Sequence, residues 1–358
     1  MSIKYNGGYI PAVGADGTTL VANSASATGV AWAGPTFTAG KNKIINGDFG
    51  IWQRGTTITS PGNGGYSADR FFNGQDGTGT VTCTQQTFTP GTAPVAGYEG
   101  SFFLRTSLTS LGTTTYFQPT QRIEDVRTFA GQTATVSFWA KADSARTSLI
   151  VLIQNFGSGG SGATTQASAV TYSTAWTRYT ATFTVGSMSG KTIGTGSSLE
   201  IGFRTTAAVG SVLDIWGVQV EAGSVATPFT TATGTLSGEL TACQRYYYRW
   251  TTANGGSTSA YIHATWSLGT TSAYGVFNFP VTLRTTPSTL ETTGTASNYR
   301  LLMGGTVTTC SAVPSLDQAN PYGMNILYSV TAGLVVGQAG VAGINASSNA
   351  YLGFSAEL

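Results

Sequence analysis

Thr133-Ala134-Thr135-Val136-Ser137-Phe138-Trp139-Ala140-Lys141 alternates without a break: Ala134, Val136, Phe138 and Ala140 make an apolar face, and Thr133, Thr135, Ser137, Trp139 and Lys141 the other. A period of two is the repeat of a pleated strand with one buried side, because successive side chains leave opposite faces of the chain. The pattern recurs after Trp176, where Tyr179, Ala181, Phe183 and Val185 oppose Trp176, Arg178 and three threonines. Leu199, Ile201 and Phe203 repeat it, with Glu200 and Arg204 opposite. Gly/Ser turns such as residues 157–162 separate these runs, and the whole predicts a β-sandwich. Residues 121–131 break the rule: Arg122, Ile123, Glu124 and Val126 do not alternate, so one or two helical turns are expected there.

On either side the character of the chain changes. Residues 1–40 are small and polar, with isolated apolar side chains and two short strand-like runs, 16–21 and 29–32. Such a segment cannot bury a core alone and needs a partner. A Thr/Gly/Ser stretch at 230–238 ends the central unit. Beyond it, residues 239–244 suggest a short helix, and strand-like runs follow at 245–251, 259–268, 274–283, 299–303, 324–330 and 351–358. The expected architecture is all-β: an attachment or shaft segment (1–40), a jelly-roll sandwich (41–232) and a β-sandwich tip (233–358).

Composition narrows the function. Only 9% of the 358 residues are charged, against the quarter or so usual in soluble proteins, while Gly, Thr and Ser number 48, 60 and 34. The net charge of +2 forms no basic stripe, which argues against nucleic acid. No apolar run approaches the roughly 20 residues of a membrane helix, so no insertion is expected. Cys83, Cys243 and Cys310 form no metal or disulfide pattern and read as buried thiols. Met1 to Gly7 lack the apolar centre of a secretory leader, so none is expected. A Thr/Gly-rich β-protein without a leader suits a virion protein made in the host cytosol.

Catalytic signatures are sparse. His263 is the sole histidine, and no GxSxG, HExxH or phosphate loop occurs, so a non-catalytic protein is expected. Glycoside hydrolysis needs only two carboxylates and stays open. Sugar binding has better support, because sugars offer apolar faces for aromatic rings and hydroxyls for neutral hydrogen-bonding groups. Trp139, Trp176 and Arg178 lie opposite the predicted core and suggest a platform, the alternative being a covered second layer or a chain contact. In the tip, Arg245, Tyr247 and Arg249 alternate with Tyr246, Tyr248 and Trp250. A hairpin about Asn254-Gly255-Gly256 would bring them onto one surface with Tyr261 and His263, which face away from Ile262, Ala264 and Trp266. That patch would suit an acidic or neutral glycan, with His263 titrating near 6.5, the alternative being a subunit contact.

Asn42-Lys43-Ile44-Ile45-Asn46-Gly47-Asp48-Phe49-Gly50-Ile51-Trp52-Gln53-Arg54-Gly55 and Tyr66-Ser67-Ala68-Asp69-Arg70-Phe71 resemble the opening of a module found in bacteriophage tail fibres and related virion proteins. Gln121-Arg122-Ile123-Glu124-Asp125, the strand quoted at the outset, Trp176-Thr177-Arg178-Tyr179 and Leu213-Asp214-Ile215-Trp216-Gly217-Val218-Gln219-Val220-Glu221 fit the same module. It is similar to the jelly-roll carbohydrate-binding modules attached to polysaccharide-degrading enzymes. The resemblance covers about residues 41–229, and shorter matches at 242–247 and 279–287 resemble fibre tips. It implies a homotrimer, attachment to tail or baseplate proteins through residues 1–40, and structural calcium held by Asp48 and Asp214. Gly50 and Ile215-Trp216 stand where such modules often carry further acids.

The combined expectation is a tail fibre on the virion surface that attaches to host envelope polysaccharide without cleaving it. The rivals are a head fibre or decoration protein without glycan binding, and a depolymerase.

Overall fold

The computed structural model describes residues 40–95, 98–251, 260–345 and 350–358, together with the backbone of four short strands before residue 34. These four are β1 (Lys4–Tyr5), β2 (Gly8–Tyr9), β3 (Thr19–Ala22) and β4 (Val30–Ala33), paired β1 with β2 and β3 with β4. The remaining attachment-segment residues lie outside the described set.

The first sandwich comprises β5 (Thr57–Thr59), β6 (Phe71–Gln75), β7 (Thr80–Thr87), β8 (Phe102–Ser110), β9 (Tyr116–Glu124), β10 (Thr133–Ala142), β11 (Arg146–Asn155), β12 (Thr164–Tyr172), β13 (Thr177–Thr184), β14 (Ser198–Thr206) and β15 (Val212–Ala222). They form a six-stranded sheet, β13-β10-β15-β8-β7-β5, and a five-stranded sheet, β12-β11-β14-β9-β6. The alternating faces predict the core well. Ala134, Val136, Phe138 and Ala140 from β10 are fully buried against Leu199, Ile201 and Phe203 from β14. Burial of this kind is worth roughly 1.5–3 kcal/mol per large apolar side chain.

The helical turns expected within 121–131 are absent from the first part of that stretch, which belongs to β9. Its alternation is intact but concealed, because the inward residue Gln121 is polar. Gln121 is 1% exposed, and its amide accepts from the Ile45 N–H at 2.9 Å and donates to the Ile45 carbonyl at 2.8 Å. Turns follow the strand, with Asp125 and Phe129 at positive φ.

The helix α1 (Leu236–Gln244) starts at Thr235, whose hydroxyl accepts from the Gly238 N–H as an N-cap. It leads into β16 (Tyr247–Thr251), β17 (Ala260–Ser267), β18 (Ser272–Asn278), β19 (Leu290–Thr292), β20 (Tyr299–Met303), β21 (Thr306–Thr309), β22 (Ser315–Asn320), β23 (Gly323–Ser329), β24 (Ala339–Ile344) and β25 (Tyr351–Ser355). A seven-stranded sheet, β21-β20-β24-β17-β18-β23-β22, packs on a three-stranded one, β16-β25-β19, through Leu301, Ile326, Tyr328, Leu352 and Phe354.

The hairpin expected between β16 and β17 is not formed. β16 pairs with β25, Tyr247 opposite Ser355, while β17 pairs with β18 and β24 in the other sheet. Residues 254–256, the expected turn, lie outside the described set.

The two sandwiches are joined by polar contacts. Buried Glu239 of α1 accepts from the Asn46 N–H at 2.6 Å and the Thr233 N–H at 2.7 Å. Arg245 and Tyr246 reach Glu124 at 3.2 and 2.8 Å. Gln53 donates to the Tyr247 carbonyl at 2.6 Å, and Arg122 to the Leu358 carbonyl at 2.5 Å.

Candidate functional site

The outer faces of the first sandwich differ. The outer face of the six-stranded sheet is roofed. Trp139, 8% exposed, packs with Phe88, Phe103, Trp216 and Phe229, and its ring lies 5.5 Å from that of Trp216. The exposed Trp139 platform expected from alternation is therefore corrected to a second apolar layer, built by chain before β8 and after β15. Gly217 belongs to it: its φ of 66° suits glycine, and a Cβ would meet the Trp139 ring at 2.8 Å. Trp176 is half-buried at its margin, 5.2 and 5.4 Å from the rings of Phe103 and Phe88. Arg178 lies 4.9 Å over Trp139 and donates to Ser137 and the Thr227 carbonyl, so it is tied down and not free for a ligand.

Asp214 is 2% exposed, and Arg105 takes both of its oxygens, at 2.7 and 2.8 Å. Lys141 lies 3.6 Å away. Those cations occupy the place a metal would need, so Asp214 does not fit a calcium ligand. Asp48 lies in a turn ahead of β5, not in a strand, and burial, then the nearby Glu239, push its carboxyl up. Among the described residues no cluster of three or more His, Cys, Asp or Glu suits a metal. The Asn residues of the opening motif are structural: Asn42 donates to the Val218 and Thr230 carbonyls, and Asn46 to those of Ile51 and Asp69.

The tip residues do not share one surface either. Tyr247 is 1% exposed and bonded to Glu291 at 2.8 Å, with the Arg54 guanidinium 3.5 Å over its ring. Arg249 donates to the Arg54 carbonyl at 2.5 Å and stacks 3.4 Å from the Tyr351 ring. Arg245, at the end of α1, pairs with Glu124. Tyr261 is 45% exposed, but the bulge between Tyr261 and His263 reverses the faces of β17. Thr265 and Ser267 therefore point inward with His263, while Trp266, expected in the core, is 39% exposed.

Burial draws His263 down to about 4, and its Nε2 lies 3.1 Å from the Tyr328 hydroxyl. The expected titration near 6.5 is thus corrected. A histidine with a depressed folded pKa takes up its proton first in the unfolded chain, so stability is full above about 6.5 and falls as pH drops towards 4. Asp69, pushed up to about 6 by burial, acts in an overlapping window with the opposite sign. The comparison is therefore melting temperature against pH for the wild type and His263→Gln. The wild type should lose more stability between pH 6.5 and 4, and parallel curves would remove His263 from the acid response.

Among the described residues no aromatic layer like that over Trp139 covers the outer face of the five-stranded sheet. Alternation places Tyr116, Gln118 and Arg122 from β9, Glu200 and Arg204 from β14, and Asn155 from β11 on it. Glu200 accepts from Arg122 Nε and Asn155 Nδ2, both at 3.0 Å. Arg204 lies 3.8 Å over the Tyr116 ring and donates to Gln118 at 3.1 Å. Gln118 fits between two glycines: a Cβ on Gly74 or Gly202 would meet its side chain at 2.9 or 2.8 Å. At one end Arg122 stacks 4.4 Å over Phe72 and holds the Leu358 carbonyl. The result is a polar row in which Gln118 and Glu200 lie beneath, each 7% exposed, while the half-buried Arg122, Asn155 and Arg204 can meet sugar hydroxyls and the Tyr116 ring an apolar sugar face. Sequence reading placed Glu200 and Arg204 outside but assigned them no role. The signal was a strand with charged residues on its outer side and glycine between them.

A third site, a groove of about 580 Å³, lies where the sandwiches meet and is lined by Trp52, Arg54, Gln244, Tyr248 and Arg249.

Residues 92–195 match the carbohydrate binding domain family CBM_4_9, a span that includes Tyr116, Gln118, Arg122 and Asn155 and none of the groove residues. Among solved structures, the enzymatically active domain of bacteriophage CBA120 tailspike protein 4 aligns over 51% of this chain and 22% of its own, at 19% identity and a TM-score of 0.34. TmCBM61 in complex with β-1,4-galactotriose aligns over 51% of this chain and 99% of its own, at 12% identity and a TM-score of 0.31. The CBM22-1 xylan-binding domain of Paenibacillus barcinonensis Xyn10C aligns over 53% and 100%, at 12% identity and a TM-score of 0.31. The chain thus spans a small part of the tailspike and nearly all of each module. No curated protein matches it.

Proposed function

We propose that this protein binds a glycan without cleaving it, through the outer face of the five-stranded sheet. The carrying observation is that the family match over 92–195 includes Tyr116, Arg122 and Asn155, which share an outer sheet face and are joined there to Glu200 and Arg204 of β14. Gln118, 7% exposed, is the support beneath the row: its carboxamide accepts from Arg204 and donates to Thr120, and the half-buried Tyr116 ring and Arg204 are the groups a sugar would meet. Glu200 and Arg122 set the far end of the row, and the Arg204–Tyr116 plate the near end. The one carboxylate of the row, Glu200, is paired with Arg122 and bonded by Asn155, which suits holding a ligand more than transferring a proton.

The finer reading is a receptor-binding tail fibre, homotrimeric, anchored to the virion through residues 1–40 and directed at host envelope polysaccharide. The motif at 42–55 and its ordered companions support that reading. Linked copies would convert weak single-site binding into avid attachment.

The test is binding of the full chain to a panel of labelled bacterial envelope polysaccharides, with polymer length followed alongside. Saturable binding with unchanged length is expected. Tyr116→Ala should weaken it at least tenfold while melting temperature moves by less than a few degrees, since that ring is only half-buried at the end of the row. Shortening of the polymer would make the protein a depolymerase. Absence of binding across the panel would leave a structural virion protein.

A further inference from the structure

The outer face of the seven-stranded sheet in the second sandwich lies beyond the family match and has the make-up of a second binding surface. The strand register lays its side chains in rows. Trp266 of β17 stands opposite Tyr274 of β18, with ring centroids 6.1 Å apart. In the next row Val276 of β18 faces Asn325 of β23, which faces Gln318 of β22. Asn278 follows, opposite Gly323. Val276 and Trp266 are 45% and 39% exposed, and Tyr322, on the turn between β22 and β23, is 69% exposed. A cavity of about 250 Å³ opens among Val276, Asn278, Gln318, Tyr322 and Asn325, just under the ~300 Å³ at which small-molecule clefts usually begin.

Three features give this surface a chemistry. Asn278, Gln318 and Asn325 make no side-chain hydrogen bond among the described residues, so three carboxamides stand ready side by side. Asn320 is different: its carbonyl is spent on the N–H groups of Tyr322 and Gly323, which holds the turn that carries Tyr322. Gly323 keeps the floor low, since a Cβ there would meet the Phe277 carbonyl at 2.5 Å. Among the described residues these rows carry no charged side chain, and the acid Asp317 adjoins them at the β22 bulge.

We infer that this face is a second glycan site, specific for a neutral saccharide, in which Tyr322 stacks on a sugar ring while Asn278, Gln318 and Asn325 bond its hydroxyls. Each carboxamide presents a donor and an acceptor, matching a hydroxyl that is both. Exposed aromatic rings supply the apolar contact that sugar C–H faces favour. Asp317 disfavours uronic or sialic acids, and Arg300 of β20, a cation on this face, stands three strands from β18, over the Tyr261 ring at 5.1 Å. The cavity is the size of one or two sugar rings, and Trp266 lies where a longer chain would continue. The site is independent of the five-stranded sheet.

The experiment uses the full-length chain carrying Tyr116→Ala, which silences the first site. Its probes are neutral hexasaccharides of β-1,4-glucose, β-1,4-xylose and α-1,4-glucose, β-1,4-galactotriose, and oligogalacturonate as the anionic control. Titration calorimetry should show saturable binding of at least one neutral probe and none of oligogalacturonate. Tyr322→Ala and Gln318→Ala should each weaken that binding at least tenfold, with melting temperature and oligomeric mass unchanged, because both side chains are exposed. Four results would overturn the inference: no neutral probe binds, the anionic one binds equally well, both variants bind as before, or Tyr322→Ala alters the oligomeric mass. The last would make the face a subunit contact. Loss of binding on Tyr116→Ala with no contribution from Tyr322 would leave the first site standing alone.

Discussion

Arg70→Ala is expected to lower stability by about 3–5 kcal/mol, the cost of breaking a buried ion pair by removing one member. Arg70 is 1% exposed and holds three separate parts of the molecule. Its Nη1 contacts Glu357 near the end of the chain, its Nη2 donates to the Arg122 carbonyl at 2.7 Å, and its guanidinium lies 3.4 Å over the Tyr246 ring. Removing it leaves the largely buried Glu357 with only Arg54, at 3.4 Å, and loosens the second sandwich from the first. The effect should appear in urea unfolding as a lower midpoint. The double variant with Glu357→Ala should cost clearly less than the sum of the two singles, as in any coupled pair. A loss below 1 kcal/mol would show that the pair does not join the sandwiches.

Trp139→Ala carries the second large expectation, about 3–5 kcal/mol, the range for truncating a buried aromatic side chain. Its ring is enclosed by Trp216, Phe229 and the Arg178 guanidinium, and the cavity left behind has a rigid wall in the β10–β15 pairing. Glycan binding at the opposite sheet should be unaffected in the folded fraction. Thermal unfolding and binding measured on the same sample separate the two readings. A variant that melts like the wild type but binds poorly would restore Trp139 to the surface.

These two residues mark where local reading stops. Arg70 follows a turn and has no strand period to announce its burial, and its partner lies 287 positions away. Trp139 was correctly placed on the face opposite the main core, yet that face is itself covered by Phe88 and Phe229, which no neighbouring residue foretells. Gln121 looked like a break in a strand because its amide is buried and satisfied by the Ile45 backbone. His263 and Trp266 were read in reverse because one bulged residue shifts the parity of everything after it.

The candidate site was legible only in outline. Glu200 and Arg204 could be set outside from the period of β14, but their joining to Arg122, Asn155, Gln118 and Tyr116 needs the β9-β14-β11 neighbourhood, which spans the sheet and not the sequence.

What the sequence determined by itself is the all-β class, the main strands of the first sandwich and the inward set of each, because a period of two is a property of adjacent residues. Tertiary structure alone sets the second face of these sheets: roofed over Trp139, partly open at Tyr116, and reversed at His263. That follows from cover and parity, which depend on distant segments and on single bulges, so the same alternating pattern fits a hidden layer and a binding surface equally well.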